Sequence, residues 1–540
     1  MPAGIPVPIA SSTIASRLRA LSLRVTGASP WLVPMLVAAA LVFPWLFAVP
    51  GVHADEAWAL LRAQDLAHGQ RPVDGMTFYT GAWHTYLVWA ASTLLGPTTT
   101  ALRLPGALLA VAAVGLVAFT VRRRWGPRTA LATGLLLASS PALVTYARFG
   151  IEIAALSPFL LATAFACFAA IRQGATAGEL ALAQIGGLAL GLAAHNHVAL
   201  LPVPFVTFLA LALLSRGRIL WNTATYGALV GFVLGCLPRV GQLITPEGWK
   251  MWTAPSQARG WEFLSDLPDL PRIVLRCWDG AIFYRRYSGG GPLWVIPYAA
   301  VAAAVVIAAR VRWRVERWRL PEAVAVVAIA LVAVLTAALS PWLSIRYEVA
   351  VDIAMPVLLG IACGPLLGAR APRPARRVGV AVVAVVVALN VFYLGVDYLR
   401  PFLHDGGGLA LFPLGKRLVE SSQHFVRTNE LYRRLVARGV RRVDGGFFIE
   451  EPLAARDIGR GWLELGAVEA APGAPTMPRV RTAVVLYDGV QWNGPWPDVA
   501  RENARTYGAT ITRSGVTLFY DPSFPPLFRV YVADPPGAAR

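Results

Sequence analysis

The sequence predicts a polytopic α-helical membrane protein with about eleven transmembrane helices, interfacial helices in its first external loop, and a small C-terminal α/β domain. Three observations predict it. Of 540 residues, 56% are hydrophobic and only 15% are charged, where a soluble chain carries about a quarter charged. Apolar runs of spanning length recur, and a ~30 Å hydrocarbon core takes about 17–25 residues at ~1.5 Å rise each. The basic residues fall in short clusters between those runs, as cytoplasmic loops do.

The net charge of +19 therefore reports topology rather than a nucleic-acid surface. The clusters are Arg122–Arg124 with Arg128, Arg216 and Arg218, the RVRWRVERWR block (310–319) and the GARAPRPARR block (368–377). A basic cytoplasmic tail (1–30) holds Arg17, Arg19 and Arg24, so the first span, 31–50, leaves the cytoplasm. Val52-His53-Ala54 is similar to a signal-peptidase site, but the apolar run before it exceeds the ~7–15 residues of a secretory core and further spans follow, so it reads as an uncleaved anchor.

Residues 51–102 then lie outside and carry two helical stretches, 55–68 and 83–96. The second mixes His84 and Thr85 with Trp83, Tyr86 and Trp89, a composition for the interface rather than the bilayer core. Were it to span, every later basic cluster would face outward. Further spans fall near 103–121, 129–145, 153–171, 180–194, 198–215, 222–238, 291–309, 321–341, 348–367 and 378–398, with a second external loop at 239–290. The transmembrane module thus covers 31–398. From 399 to 540 the composition changes: a helical pattern near 414–438, then strand patterns at 441–449, 481–488 and 515–521, give an extracytoplasmic α/β domain. The four cysteines show neither a disulfide framework nor zinc spacing.

Ionisable residues at span ends are expensive in lipid and mark candidate chemistry. On this topology they gather on the outer face: Asp55 and Glu56 opening the first loop, Arg148 and Glu152 in YARFGIE, His195 and His197 in a tight turn, Arg346 and Glu348 in IRYEVAVD, and Arg285 and Arg286 in the long loop, with His84 on the interfacial helix. Each has a plainer reading. Asp55 suits a helix N-cap, Glu56 a structural role, and Arg148 and Arg346 headgroup anchors. Two histidines at i,i+2 are a polar turn before they are a metal site, and Arg285 with Arg286 suits a solvated pair.

Taken in order, the acidic pair before an amphipathic helix, Arg103-Leu104-Pro105-Gly106, the basic RRRWGPR turn, YARFGIE, the GLALGLAAHNHVALLP hairpin and IRYEVAVDIAMP resemble the GT-C membrane glycosyltransferases. The nearest likeness is to bacterial relatives of protein O-mannosyltransferases and lipid A aminoarabinose transferases, over residues 30–370. The resemblance implies an inverting transfer of a sugar from a polyprenyl-phosphate carrier to a protein, glycan or lipid acceptor at the outer face of the bacterial inner membrane. It implies Asp55 as base, Glu56 in support, and Arg148 and Arg346 on the donor phosphate, a partner that guanidinium grips bidentately. Glu152, His195, His197, Arg285, Arg286, Glu348 and His84 are accessory candidates. The residues identify no certain cofactor, and a divalent metal is compatible with the chemistry. The alternative is a transporter or lipid flippase, which would place ionisable groups at mid-bilayer, where this sequence has almost none.

Overall fold

The computed structural model describes residues 30–49, 51–75, 80–171, 176–214, 221–244, 321–339, 348–369, 371–400, 412–414, 417–419, 428–445, 447–465, 479–487, 510–513, 516–524 and 528–536, with isolated positions 217, 246, 264, 268 and 403. The expected span 291–309 and residues Arg285, Arg286 and Arg346 lie outside them.

The first apolar run is not one helix. Helix α1 (Leu32–Val42) stops two residues before Pro44, which has no N–H for the ladder. Residues 43–49 turn instead, and Trp45 takes φ 53°, the one positive φ outside glycine among the described residues. The first-loop helices follow expectation closely, as α2 (Ala54–Ala67) and α3 (Trp83–Leu95).

Helix α4 (Thr99–Trp125) is capped by the Thr98 hydroxyl, which accepts the Ala101 N–H at 3.2 Å. Its last turn holds Arg122, Arg123 and Arg124, charges that suit the carbonyl end of the helix dipole. The expected span 129–145 is broken into α5 (Pro127–Ala138) and α6 (Pro141–Ala147), bent by 60°. Ser140 takes ψ 121°, the extended backbone that a following proline imposes. Then come α7 (Glu152–Ala170), α8 (Ala177–Asn196), a 3-10 turn (Val198–Leu200), α9 (Pro202–Leu214), α10 (Thr223–Leu243), α11 (Pro321–Leu339), α12 (Val349–Leu367) and α13 (Arg373–Tyr393), which runs into a π-helical turn (Leu394–Leu399). Among the described residues, six helices are long and apolar enough to cross a membrane, or seven if the bent pair is one span; α1, α9 and part of α11 are shorter apolar helices.

The tightest helix pair is α8 with α10. A Cβ at Gly187, Gly191 or Gly231 would run into the backbone carbonyls of Ala228, Phe232 and Gln184, so glycine lets the two backbones touch. Between α7, α8, α9, α10 and α11 lies an apolar cavity of about 940 Å³, lined by Phe168, Leu190, Phe205 and Phe232, with Arg124 and Asn222 at one end.

The C-terminal unit is a six-stranded sheet with strand order β4-β3-β5-β8-β7-β6, preceded by a small hairpin of β1 (Phe412–Leu414) and β2 (Arg417–Val419). The sheet strands are β3 (Arg442–Asp444), β4 (Glu464–Leu465), β5 (Thr482–Tyr487), β6 (Thr510–Arg513), β7 (Val516–Asp521) and β8 (Phe528–Ala533). Strand β3 pairs in parallel with β4 and β5, and the other neighbours are antiparallel. Helices α14 (Thr428–Ala437) and α15 (Phe447–Asp457) bury Leu431, Leu435, Ile449 and Leu453 with Val443, Val485 and Val530. Two expectations are corrected here. The pattern 441–449 is strand only to Asp444 and helix from Phe447, and within the helix expected at 414–438 residues 417–419 are strand, while Thr428–Ala437 is helix. Short apolar runs such as FFI fit either period, and here packing under the sheet decides.

Candidate active site

The start of α2 is held by its own residues. His53 Nδ1 accepts the Asp55 N–H at 3.0 Å, and Glu56 Oε2 accepts the His53 N–H at 2.9 Å, a reciprocal cap on two N–H groups that begin the helix. Because Nδ1 uses its lone pair on that N–H, it carries no proton toward Asp55. The 3.6 Å approach of Asp55 Oδ2 to the same nitrogen is therefore a contact and not an ion pair.

Glu56 is 0% exposed, and its two oxygens take four hydrogen bonds. Oε1 accepts Arg103 Nε at 2.8 Å and the Gly150 N–H at 2.6 Å; Oε2 accepts Arg103 Nη2 at 2.8 Å besides His53. The parallel pair to Arg103 is the bidentate guanidinium–carboxylate fork. Arg103, from the first turns of α4, also donates to the carbonyls of Leu46 and Gly51, both at 3.0 Å. One buried ion pair thus ties α2, α4, the turn after α1 and the loop before α7 together.

His84 holds the same loop from the other side. Its Nε2–H donates to the Gly150 carbonyl at 2.7 Å, so both faces of one peptide residue are gripped, by Glu56 and by His84. A Cβ on Gly150 would meet Leu102 Cγ at 2.6 Å, which is why the close approach needs glycine. Burial pushes His84 down to about 4, so the ring is neutral, and its Nδ1 is buried without a hydrogen-bond partner.

Arg148 is fully buried and closes the turn after α1. Nη1 donates to the carbonyls of Val42 and Pro44 at 2.7 and 2.8 Å, Nη2 to that of Val49 at 2.8 Å, and the guanidinium lies 5.7 Å from the Tyr398 ring. This surrounding differs from an open phosphate grip, because carbonyls of the turn after α1 have taken the Nη1 and Nη2 donors. Glu152 is buried at the first position of α7, and its carbonyl accepts Asn196 Nδ2 at 2.8 Å. His195 and His197 flank that asparagine. His197 Nδ1 caps the 3-10 turn by accepting the Ala199 N–H at 3.1 Å, and His195 meets Trp83 edge-on at 6.4 Å. The Gly81 N–H bonds the Asn196 carbonyl at 2.8 Å, and Arg239 Nη2 bonds that of His195 at 2.6 Å.

Glu56 and His84 therefore meet at Gly150, Glu152 and the His195–His197 turn meet at Asn196, and Asp55 and Arg148 adjoin them along the chain. Glu348 stands apart, just ahead of α12, with Oε2 buried and unpartnered; its helix neighbour Asp352 accepts the Tyr146 hydroxyl at 2.6 Å. Among the described residues no three His, Cys, Asp or Glu side chains stand together as a metal site. Sequence reasoning missed Arg103, Gly150 and Arg239 as parts of the site. A lone arginine beginning a long apolar run was the available signal for Arg103.

Residues 81–240 match the family model for dolichyl-phosphate-mannose-protein mannosyltransferase. Comparison of the sequence with curated proteins gives no match. Among solved structures, ArnT from Cupriavidus metallidurans bound to undecaprenyl phosphate is similar with a TM-score of 0.59 at 14% identity, covering 94% of this chain and 98% of that one. Its apo state gives 0.54 at 15% identity, over 93% and 97%. The Archaeoglobus fulgidus oligosaccharyltransferase in complex with zinc and sulfate gives 0.51 at 14% identity, over 85% of this chain and 68% of that one. Through the family match over 81–240 and a polytopic helical membrane fold shared along nearly its whole length, the chain resembles the GT-C membrane glycosyltransferases.

Proposed function

We propose that this protein is an inverting glycosyltransferase that moves a sugar from a polyprenyl-phosphate carrier to a hydroxyl acceptor at the outer face of the cytoplasmic membrane, with the C-terminal unit on that same side. The observation that carries the reading is the division within the acidic pair. Glu56 is saturated by Arg103, Gly150 and His53, which positions the first turn of α2 and leaves the base role to Asp55, beside a ring nitrogen that brings it no proton. The mannosyltransferase family match and the likeness to ArnT, which binds undecaprenyl phosphate, support the carrier class.

In this mechanism Asp55 takes the proton of the acceptor hydroxyl as its oxygen attacks the anomeric carbon. The carbon–oxygen bond to the carrier phosphate breaks, and the phosphate leaves with the bonding pair. Leaving-group charge is answered by guanidinium, a role that passes to Arg346, since Arg148 Nη1 and Nη2 hold backbone carbonyls.

The test is transfer of radiolabelled sugar from polyprenyl-phosphate donors to a membrane extract, by the wild type and by Asp55→Asn. Turnover should fall by about 10²–10⁴ in the variant, as for loss of a general base, with the melting temperature held. Equal transfer by both proteins would remove Asp55 from the chemistry and leave it a helix-start residue.

A further inference from the structure

Helix α15 of the C-terminal unit packs on α2, where Ala455 shares a buried cluster with Val52, Ala57, Leu60 and Leu102. Arg456, the next residue, is half-buried, and it lies within electrostatic reach of Arg103, Arg460 and Arg433. Arg103 belongs to Glu56. The other three form no ion pair among the described residues, and Arg456 Nε is buried without a hydrogen-bond partner. Arg460 Nη1 donates to the Arg456 carbonyl at 3.2 Å, with its guanidinium 5.6 Å from the Tyr432 ring; Arg433 Nε donates to the Asn429 carbonyl at 3.4 Å.

Two acids of the same helix are otherwise engaged. Asp457 Oδ1 accepts the Tyr432 hydroxyl at 2.7 Å and Oδ2 the Leu463 N–H at 2.8 Å, while Glu450 Oε1 accepts the Gly445 N–H at 2.9 Å. Burial and the three like charges together push Arg456 down to about 10. Holding guanidinium groups together without a counter-charge is unfavourable, and an arriving anion relieves it. Arg433 and Arg460 are exposed, so the cluster opens to solvent.

We propose that Arg433, Arg456 and Arg460 form a phosphate-binding site that the C-terminal unit contributes beside the acidic pair. Planar guanidinium forks match phosphate oxygens. The phosphate comes either from a lipid carrier or from a water-soluble phosphate ester. Naming the carrier rests on the glycosyl-transfer reading, whereas the anion site itself does not.

The test is binding without transfer, so it is independent of that reading. The purified full chain in detergent is titrated with inorganic pyrophosphate and, separately, with a short-chain polyprenyl phosphate, following heat of binding and melting temperature. The wild type should bind at least one probe and melt higher with it. Arg456→Gln should weaken that binding by about tenfold or more, while its anion-free melting temperature holds or rises as repulsion is relieved. Arg456→Lys should recover part of the affinity. Arg460→Gln, on an exposed side chain, gives the same readout should Arg456→Gln fold poorly. Binding of the lipid probe alone identifies a carrier phosphate, and binding of pyrophosphate identifies a soluble one. Unchanged affinity in folded variants, or no binding of either probe by the wild type, overturns the proposal.

Discussion

Asp55 and Glu56 stand in the first turn of α2, while Glu348 and Asp352 stand at the start of α12, and all four are buried. Glu56 has a bidentate arginine and two backbone N–H groups. Glu348 faces another carboxylate, and its Oε2 has no hydrogen-bond partner. The first arrangement joins four segments drawn from positions 46 to 150. The second, among the described residues, joins none through the glutamate. A buried carboxylate therefore says little about its role until its donors are counted.

Breaking the first pair should have the largest effect. Arg103→Met leaves buried Glu56 with two backbone N–H donors and no cation among the described residues, a loss of about 3–5 kcal/mol for a buried charge stripped of its partner. Thermal unfolding in detergent would show it, and a variant as stable as the wild type would make the pair incidental. Next is His84, which grips the same loop. A ring with its pKa lowered from 6.5 to about 4 stabilises the fold above pH 6.5 and loses that contribution as pH falls toward 4, because the unfolded chain then binds the proton first. The loss is on the order of 3 kcal/mol. Melting temperatures between pH 7.5 and 4.5 should fall more steeply in the wild type than in His84→Gln, which keeps an N–H for Gly150; parallel slopes would contradict this. His53→Ala should cost about 1 kcal/mol, the usual value of a cap, seen as a modest drop in melting temperature. Smallest of all is Glu348→Gln. With no cation opposite among the described residues, the neutral amide should change stability by less than ~1 kcal/mol, and a loss as large as that of Arg103→Met would erase the contrast.

The helices of the first loop were legible because their signals are local. The expected 55–68 and 83–96 became Ala54–Ala67 and Trp83–Leu95, since periodicity and the Asp-Glu opening act within one or two turns. Pro44 and Pro141 were in plain view and still unread as breaks, because an apolar run looks continuous when only hydropathy is followed. The acidic pair could be found as a candidate. What could not be read was which acid is saturated, since Arg103 and Gly150 lie 47 and 94 positions from Glu56. Arg456 was further still from view, its relevance depending on how α15 packs against α2.

The unwound end of α1 has a consequence for how the chain is made. Its exposed carbonyls wait for Arg148, and the bond from Val42 spans 106 positions. At ~5–20 residues per second, synthesis of that stretch takes roughly 5–20 s. During that interval the segment sits at the lipid boundary with peptide groups that hydrocarbon cannot satisfy. Shelter by the insertion machinery is the expected consequence, and substitutions at Arg148 should register in cells as early degradation of the nascent chain, before any folded protein exists to be tested.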